Sequence, residues 1–284
     1  MKIAATVILF NPEEDVIANI SSYYLHIGHL YICDNSAVVS EAVKQFCSAN
    51  THVTLIHDGS NDGIAKRLNQ AARAAIADGY QWLLTMDQDS RFKEGLFTSY
   101  KNCLTDFENG TQVAMFGIEY DSKLKTTGDN CNFKEINYLI TSGSMVNLAL
   151  FKQVGEFDEA LFIDEVDLEY CYRAKKMGLR IVKFTHLLLD HQLGKVSYFR
   201  SFKSLQLTPR TLHSPLRVYY MVRNYLYVDK LYRGLFSQDD TIRRKGMVNR
   251  LKNNLLYGNK RWQTVKYIFQ AYSDFKRNKM GKIN

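Results

Sequence analysis

An alternation constrains this chain more than any other feature. Through its first 86 residues, short apolar runs take turns with segments of helical spacing. Residues 3–10 are apolar and rich in β-branched side chains, then stop at Asn11-Pro12. That is the pattern of a strand buried on both faces of a parallel sheet. Residues 13–26 open on Glu13, Glu14 and Asp15, favourable charges at a helix start, and carry Val16, Ile17, Ile20 and Tyr24 at helical spacing. A strand at 29–33, a helix at 40–49, a strand at 53–57, a helix at 63–78 and a strand at 81–86 follow. Alternation of this kind predicts an α/β sheet with helices on its faces. Ligands of such sheets sit beyond the carboxyl ends of the strands. Three polar clusters fall at those ends: Asn11, Asp34-Asn35 and Asp87-Gln88-Asp89. Neither G-x-G-x-x-G nor G-x-x-x-x-G-K-[ST] occurs, which argues against dinucleotide oxidoreductases and P-loop NTPases.

Farther along, residues 112–118 and 136–148 read as strands, 165–177 as a helix and 179–184 as a strand. Residues 215–233 and 241–278 read as basic, aromatic-rich helices. The net charge of +8 is unevenly placed. Residues 1–194 hold 17 Lys and Arg against 25 Asp and Glu, whereas residues 195–284 hold 20 against 4. This predicts a catalytic domain over 1–198 and a basic helical region over 199–284, packed on the first. From Trp262 the apolar residues Val265, Ile268, Phe269, Tyr272 and Phe275 recur at spacings of three and four, flanked by Lys and Arg. Such a helix is either plain structure or a peripheral contact with an anionic membrane. No nucleic-acid reading module is present, so nucleic acid is not an expected partner. The five cysteines form no C-x-x-C pair, which predicts neither a disulfide scaffold nor structural zinc and favours a reducing compartment. No apolar run approaches the roughly 20 residues of a membrane span, and the opening apolar stretch is too short for a leader. A cytoplasmic enzyme, peripheral at most on the inner face of the membrane, is the expectation.

Several clusters carry chemistry. Asp87 and Asp89, two apart at a strand end, can share a divalent cation; hard oxygen ligands suit Mg²⁺ or Mn²⁺. The alternative is a solvated loop capping the next helix. Asn61-Asp62-Gly63 precedes a helix, where glycine lets backbone approach a ligand, although an ordinary cap turn reads the same way. Asp164, Glu165 and Asp167 crowd a helix start behind Phe162-Ile163. That apolar approach would bury Asp164, raise its pKa and equip it as a proton acceptor. Asp164 and Asp167 share a face if the helix includes both. His191 is either a metal ligand or a packed histidine. Arg217 and Arg223 place two guanidiniums on one aromatic helix and suit phosphate contact.

Taken together, TVILFNP at 6–12, Asp34-Asn35-Ser36, NDGIAKRLN at 61–69, TMDQDS at 85–90, TSGSMVN at 141–147, GEFDEALFIDEVDLEYCYR at 155–173, HQLG at 191–194 and RVYYMVRN at 217–224 resemble the inverting, GT-A-fold glycosyltransferases of family two, in particular their bacterial rhamnosyltransferase branch. The resemblance implies a Rossmann-like mixed sheet and a nucleotide-sugar donor, dTDP-rhamnose foremost. A UDP-linked galactose, galactofuranose or glucose is the alternative, and a non-catalytic nucleotide-sugar binder the alternative of another class. It implies a saccharide or undecaprenyl-linked acceptor of surface-polysaccharide synthesis, and is compatible with a homodimer. Asp34 would contact the nucleoside, with Thr6, Phe10, Asn11, Asn35, Asn61, Gly63, Ile64, Ala65 and Asn69 around the donor. Asp87 would sit near the sugar and diphosphate, Arg217 and Arg223 would also contact the donor, and Asp89 would bind the metal with Asp87 and His191. Ser142, Gly143 and Ser144 would lie by the sugar or acceptor. The base comes from the Asp164-Glu165 pair. Relatives carry Glu-Asp there, or Asp followed by an aromatic; this chain has neither, so Asp164 is taken first and Asp167 next.

Overall fold

The run Ile3–Leu9 forms β1, the centre of a parallel set, because seven apolar or small side chains can be buried on both faces at once. In the computed structural model, which describes residues 1–107, 110–120, 131–191, 196–200 and 205–283, two compact units are present. The first comprises Met1–Phe162 and Val166–His191; the second comprises Ile163–Glu165 and the chain from Gln192 onward. The boundary expected at 198/199 and this contact-based division rest on different grounds, and the second also takes Ile163–Glu165 into the later unit.

In the first unit the elements run β1, α1 (Val16–Tyr24), β2 (His29–Asp34), α2 (Glu41–Ala49), β3 (Val53–Ile56), α3 (Gly63–Ala77), β4 (Trp82–Asp87), β5 (Ser90–Arg91) and α4 (Leu96–Thr105). They continue through β6 (Val113–Glu119), β7 (Phe133–Glu135), β8 (Ser144–Asn147), α5 (Leu148–Val154), α6 (Val166–Lys176), β9 (Arg180–Leu188) and β10 (Asp190–His191). Eight strands form one mixed sheet in the order β3-β2-β1-β4-β8-β6-β9-β7. β3, β2, β1 and β4 are mutually parallel, and β8 runs antiparallel between β4 and β6. Alternation along β1 assigns the faces. Ile3, Ala5, Val7 and Leu9 join Val16, Ile20 and Tyr23 of α1, Val43 of α2 and Phe97 and Tyr100 of α4 in one core. The small-residue face of α3 (Ala65, Ala71, Ala72, Ala75) lies outside that cluster and packs on the opposite side of the sheet.

Two expectations are corrected by these elements. The run 136–148 contributes only Ser144–Asn147 as strand, and Asn147 then caps α5 by accepting from the amides of Ala149 and Leu150. The helix after the Asp87-Asp89 loop, given no bounds from the sequence, is α4, which follows β5. Cys103 at its end is disulfide-bonded to Cys131, so two of the five cysteines are paired despite the absence of a spacing signal.

In the second unit, β11 (Val196–Arg200) and β12 (Leu207–Thr211) form an antiparallel hairpin. Ser214 caps α7 (Pro215–Tyr232), with Pro215 pre-set for the first turn. The long helix expected over 241–278 is two helices, α8 (Ser237–Tyr257) and α9 (Arg261–Lys276), interrupted at Gly258. α9 packs on α7, burying Thr264 and Ala271, while Trp262, at 88% exposure, Phe269 and Tyr272 face solvent. Among the described residues no helix is long and apolar enough to cross a membrane.

Candidate active site

Strand register brings the first residues together. Leu9 pairs with Asp34 and Ile8 with Asp87, so the ends of β1, β2 and β4 share one edge. Asp34 is fully buried there. Its Oδ1 accepts from the Ser36 amide at 2.8 Å, whereas its buried Oδ2 has no partner. A buried carboxylate oxygen is rarely left unsatisfied, which sets this one apart. Around it the loop 58–63 is held by Arg67, itself almost wholly buried. Arg67 donates to Asn35 Oδ1 at 3.0 Å, to Asp58 Oδ1 at 2.7 Å and to the Ser60 carbonyl at 2.9 Å. Asn35 also accepts from the Asp62 amide and donates to the Gly63 carbonyl. Asn61 accepts from the Gly63 amide at 3.0 Å. Gly63 has φ +81°, and a Cβ there would lie 2.4 Å from a ring carbon of Phe162 and 2.5 Å from its carbonyl oxygen. Only glycine fits.

The second cluster forms where β5 pairs with β10. That pairing sets His191 opposite Ser90 and next to Asp89. Donor atoms of Asp87, Asp89 and His191 lie within 4.8 Å of one another. Ser90 Oγ sits 2.6 Å from His191 Nδ1, and the Ser142 hydroxyl donates to Ser90 at 2.7 Å, a supporting shell that fixes the ring. Burial pushes the His191 pKa down against the opposing pull of Asp89, which favours the neutral, ligating imidazole. Asp89 is half exposed, at 45% of its side chain. Gln88 ties this loop to the end of β1, its carbonyl accepting from Asn19 and its side chain from the Phe10 amide. Two carboxylates and an imidazole so placed suit a divalent cation with open positions.

The turn before β8 adjoins this cluster. Gly143, at φ +74°, donates to the Thr85 carbonyl, and Ser142 accepts from the Asp87 amide at 3.3 Å. Asp167 anchors the same turn from the start of α6. Its carboxylate accepts from the Thr141 amide at 3.2 Å and from the Leu168 amide at 2.9 Å. Burial, aided by Asp87, pushes its pKa up to about 6.

Between Phe162 and Val166 the backbone is strained. Phe162, Asp164 and Glu165 all take positive φ, at 60°, 67° and 65°. Left-handed non-glycine residues are costly and cluster at functional sites. Helix α6 starts at Val166, so Asp164 and Asp167 do not share a helical face as a start at 164 would have required. In the second unit, Asp164 Oδ1 accepts from Arg217 at 2.8 Å while its Oδ2 is buried without a partner. Burial raises the Asp164 pKa, with Arg217 the chief opposing influence. Glu165 is paired with Arg243 at 2.6 Å, both nearly buried. Asn224 donates to the Ile163 and Asp164 carbonyls, holding the strained backbone.

The structure thus assembles Asp34, Asp87, Asp89 and His191 at one edge of the sheet, with Asn11 and Asn61 in loops beside it and Gly63 and Ile64 at the start of α3. Other residues expected near the donor or acceptor have the following surroundings within the protein. Thr6 is buried within the sheet, its hydroxyl against Cys33 Sγ. Asn35 and Asn69 are braces: Asn69 binds both backbone groups of Phe157 and also Glu159. Ala65 is buried in the α3 interface and Phe10 is exposed. Ser144 spends its hydroxyl on the Ile140 carbonyl. Arg217 and Arg223, six apart on α7, meet different partners, Asp164 for the first and Asn224 and Tyr219 for the second. Gln192, Leu193 and Gly194 of the expected HQLG motif lie outside the described residues. Arg67, Ser90 and Arg243 were not anticipated as site supports; only the contacts reveal them.

A mixed sheet of this order is shared with solved structures. The chain superposes on Staphylococcus aureus TarS with TM-score 0.58 at 14% identity, covering 98% of this chain and 49% of that one. It superposes on GalNAc-T7, solved with UDP, GalNAc and Mn²⁺, with TM-score 0.61 at 10% identity, covering 98% and 56%. At those identities the likeness is one of fold, and this chain spans only about half of each of those structures. Residues 15–153 match the model of glycosyl transferase family 2. The chain is 30% identical over 241 residues to the dTDP-rhamnosyl transferase RfbF of Shigella flexneri, covering 78% of each. It is 21% identical over 194 residues to the low-salt glycan biosynthesis hexosyltransferase Agl10 of Haloferax volcanii, covering 62% of each. The chain belongs to glycosyl transferase family 2 and is a glycosyltransferase of the GT-A fold.

Proposed function

We infer that this glycosyltransferase moves rhamnose from dTDP-rhamnose, with inversion, to a hydroxyl of a saccharide or lipid-linked saccharide. The observation that carries the reading is the common edge holding the orphan oxygen of buried Asp34 beside the Asp87, Asp89 and His191 cluster. Likeness to a dTDP-rhamnosyl transferase over most of the chain supports the choice of sugar. A UDP-hexose is the second reading, favoured by the likeness to a hexosyltransferase.

In this reading Asp34 accepts a hydrogen bond from the nucleoside, and the Arg67-braced loop walls its pocket. Asp87, Asp89 and His191 would hold a Mg²⁺ or Mn²⁺ ion, which when bound offsets charge on the departing nucleoside diphosphate. Gly143 and its neighbours shape the sugar pocket. Asp164 is the base: its free Oδ2 takes the acceptor's proton, and Arg217 orients the carboxylate through Oδ1. Asp167, with both oxygens bound by backbone amides, is a positioning residue. The exposed aromatics of α9, flanked by Arg261, Lys266 and Lys276, would rest on an anionic membrane where a lipid-linked acceptor resides.

Purified protein incubated with dTDP-rhamnose, UDP-galactose or UDP-glucose, with manganese or with chelator, tests this directly. Donor-dependent thermal stabilisation and nucleoside diphosphate release greatest for dTDP-rhamnose are expected. Preference for a UDP-sugar replaces the first reading by the second. Full activity in chelator removes the cation.

A further inference from the structure

The C-terminal unit contains a buried cation that the sugar-transfer reading does not use. Arg223 lies on α7 at 1% exposure. Its Nε donates to Asn224 at 3.1 Å and its Nη1 to the Tyr219 hydroxyl at 3.2 Å, and its guanidinium lies 5.2 Å from the ring centres of Tyr219 and Tyr220. Nη2 is buried with no partner. Among the described residues no carboxylate stands within ion-pair distance of this arginine. A buried guanidinium is retained at a cost unless an anion completes its shell.

Arg223 forms part of the wall of a cavity of about 490 Å³ between α7, α9 and the segment after α9. Gln270, Asp274, Lys279 and Lys282 line it together with Tyr219 and Arg223. Asp274 is already engaged by the Tyr219 hydroxyl at 2.9 Å. Three cationic side chains therefore face one carboxylate. The two lysines are exposed, whereas the arginine is fixed in the wall with one nitrogen left to donate. This division of labour suits a multiply charged oxyanion better than a single carboxylate, because the one nitrogen of the guanidinium left without a partner can take one oxygen while mobile ammonium groups neutralise the rest. The cavity exceeds what inorganic phosphate fills, so the anion arrives with an organic group attached.

We propose that Arg223, Lys279 and Lys282 form a second anion site, selective for a phosphate or diphosphate ester and built wholly within the C-terminal unit. The chemistry is shared by a lipid phosphate headgroup and a soluble phosphate ester, and the test separates them. Calorimetry of the full chain with inorganic pyrophosphate, in excess chelator to suppress cation-dependent binding at the acidic cluster, reads the site without any transfer. Binding to the unaltered protein should weaken at least about tenfold in Lys279→Ala/Lys282→Ala and in Arg223→Gln. The lysine pair is exposed, so its variant keeps the fold and carries the test even where Arg223→Gln is destabilised. Phosphatidylcholine vesicles doped with phosphatidic acid form the second arm. Sedimentation of the protein with them that pyrophosphate reverses assigns the site to a lipid headgroup. Pyrophosphate binding without such reversible sedimentation assigns it to a soluble ester. No pyrophosphate binding, or binding unchanged in the lysine variant, overturns the proposal while leaving the transfer reaction untouched.

Discussion

Replacing Gly63 by alanine isolates the contact between the donor-side loop and the strained segment. Two penalties apply. An L side chain at φ +81° costs about 1–2 kcal/mol. The new methyl would also lie 2.4 Å from Phe162 Cδ2 and 2.5 Å from its carbonyl oxygen, and the backbone atom cannot swing aside as a side-chain tip could. Relief of such overpacking costs about 1–3 kcal/mol. The sum, about 2–5 kcal/mol, would lower the urea midpoint by about 1–2.5 M at a slope near 2 kcal/mol/M. Gly79→Ala supplies the control. It shares the conformation, at φ +75°, but nothing lies within 4 Å of its would-be Cβ, so only the first penalty applies. Urea melts by circular dichroism on both variants separate the two penalties by subtraction. The clash also has a functional consequence. The Phe162 carbonyl accepts from the Ile64 amide at 2.7 Å and stands two residues before Asp164, so its displacement should lower turnover more than it weakens donor binding. Equal melting midpoints for the two variants, with turnover of Gly63→Ala intact, would refute the reasoning.

How far the sequence speaks follows from what kind of signal each feature leaves. The parallel strands were legible because burial on both faces writes an unbroken apolar run, and the helices between them because a period near 3.6 differs from one of 2. α5 was hidden because Leu148, Leu150, Phe151 and Val154 continue an apolar stretch too short for its period to separate from the strand before it. Asp34, Asp87 and Asp89 could be picked out as candidates because strand ends are where sheets present ligands. His191 could be named but not placed, since its approach to Asp89 depends on a pairing with Ser90 a hundred residues away. The strain at 162–165 leaves no trace in composition: Asp164 and Glu165 look like helix-start acids, and only the backbone shows that they precede α6 in left-handed conformations. Asn35 and Arg67 were equally opaque, because a buried brace and a ligand contact use the same residue types.

Three further outcomes are expected. Asp89→Asn should fold like the unaltered protein, its side chain being half exposed, yet lose about a hundredfold or more in turnover; near-normal turnover with manganese present would remove it from the ligand set. Asp164→Asn should keep donor-dependent thermal stabilisation and lose transfer, whereas transfer surviving in Asp164→Asn but lost in Asp167→Asn would move the base one turn into α6. The last concerns pH. A base must be deprotonated to act, so kcat/KM should rise with pH through the pKa of Asp164, and burial places that limb above the ordinary carboxylate range. Arg217 works in the opposite direction, favouring the charged carboxylate from 2.8 Å. Arg217→Gln removes the favourable charge and leaves the burial, so the limb should move to higher pH, with the deficit against the unaltered enzyme greatest at the acid end and shrinking as pH rises. A merely structural arginine would depress the rate by one factor at every pH. A profile lowered without displacement would therefore show that Asp164 is not the group whose proton governs the reaction.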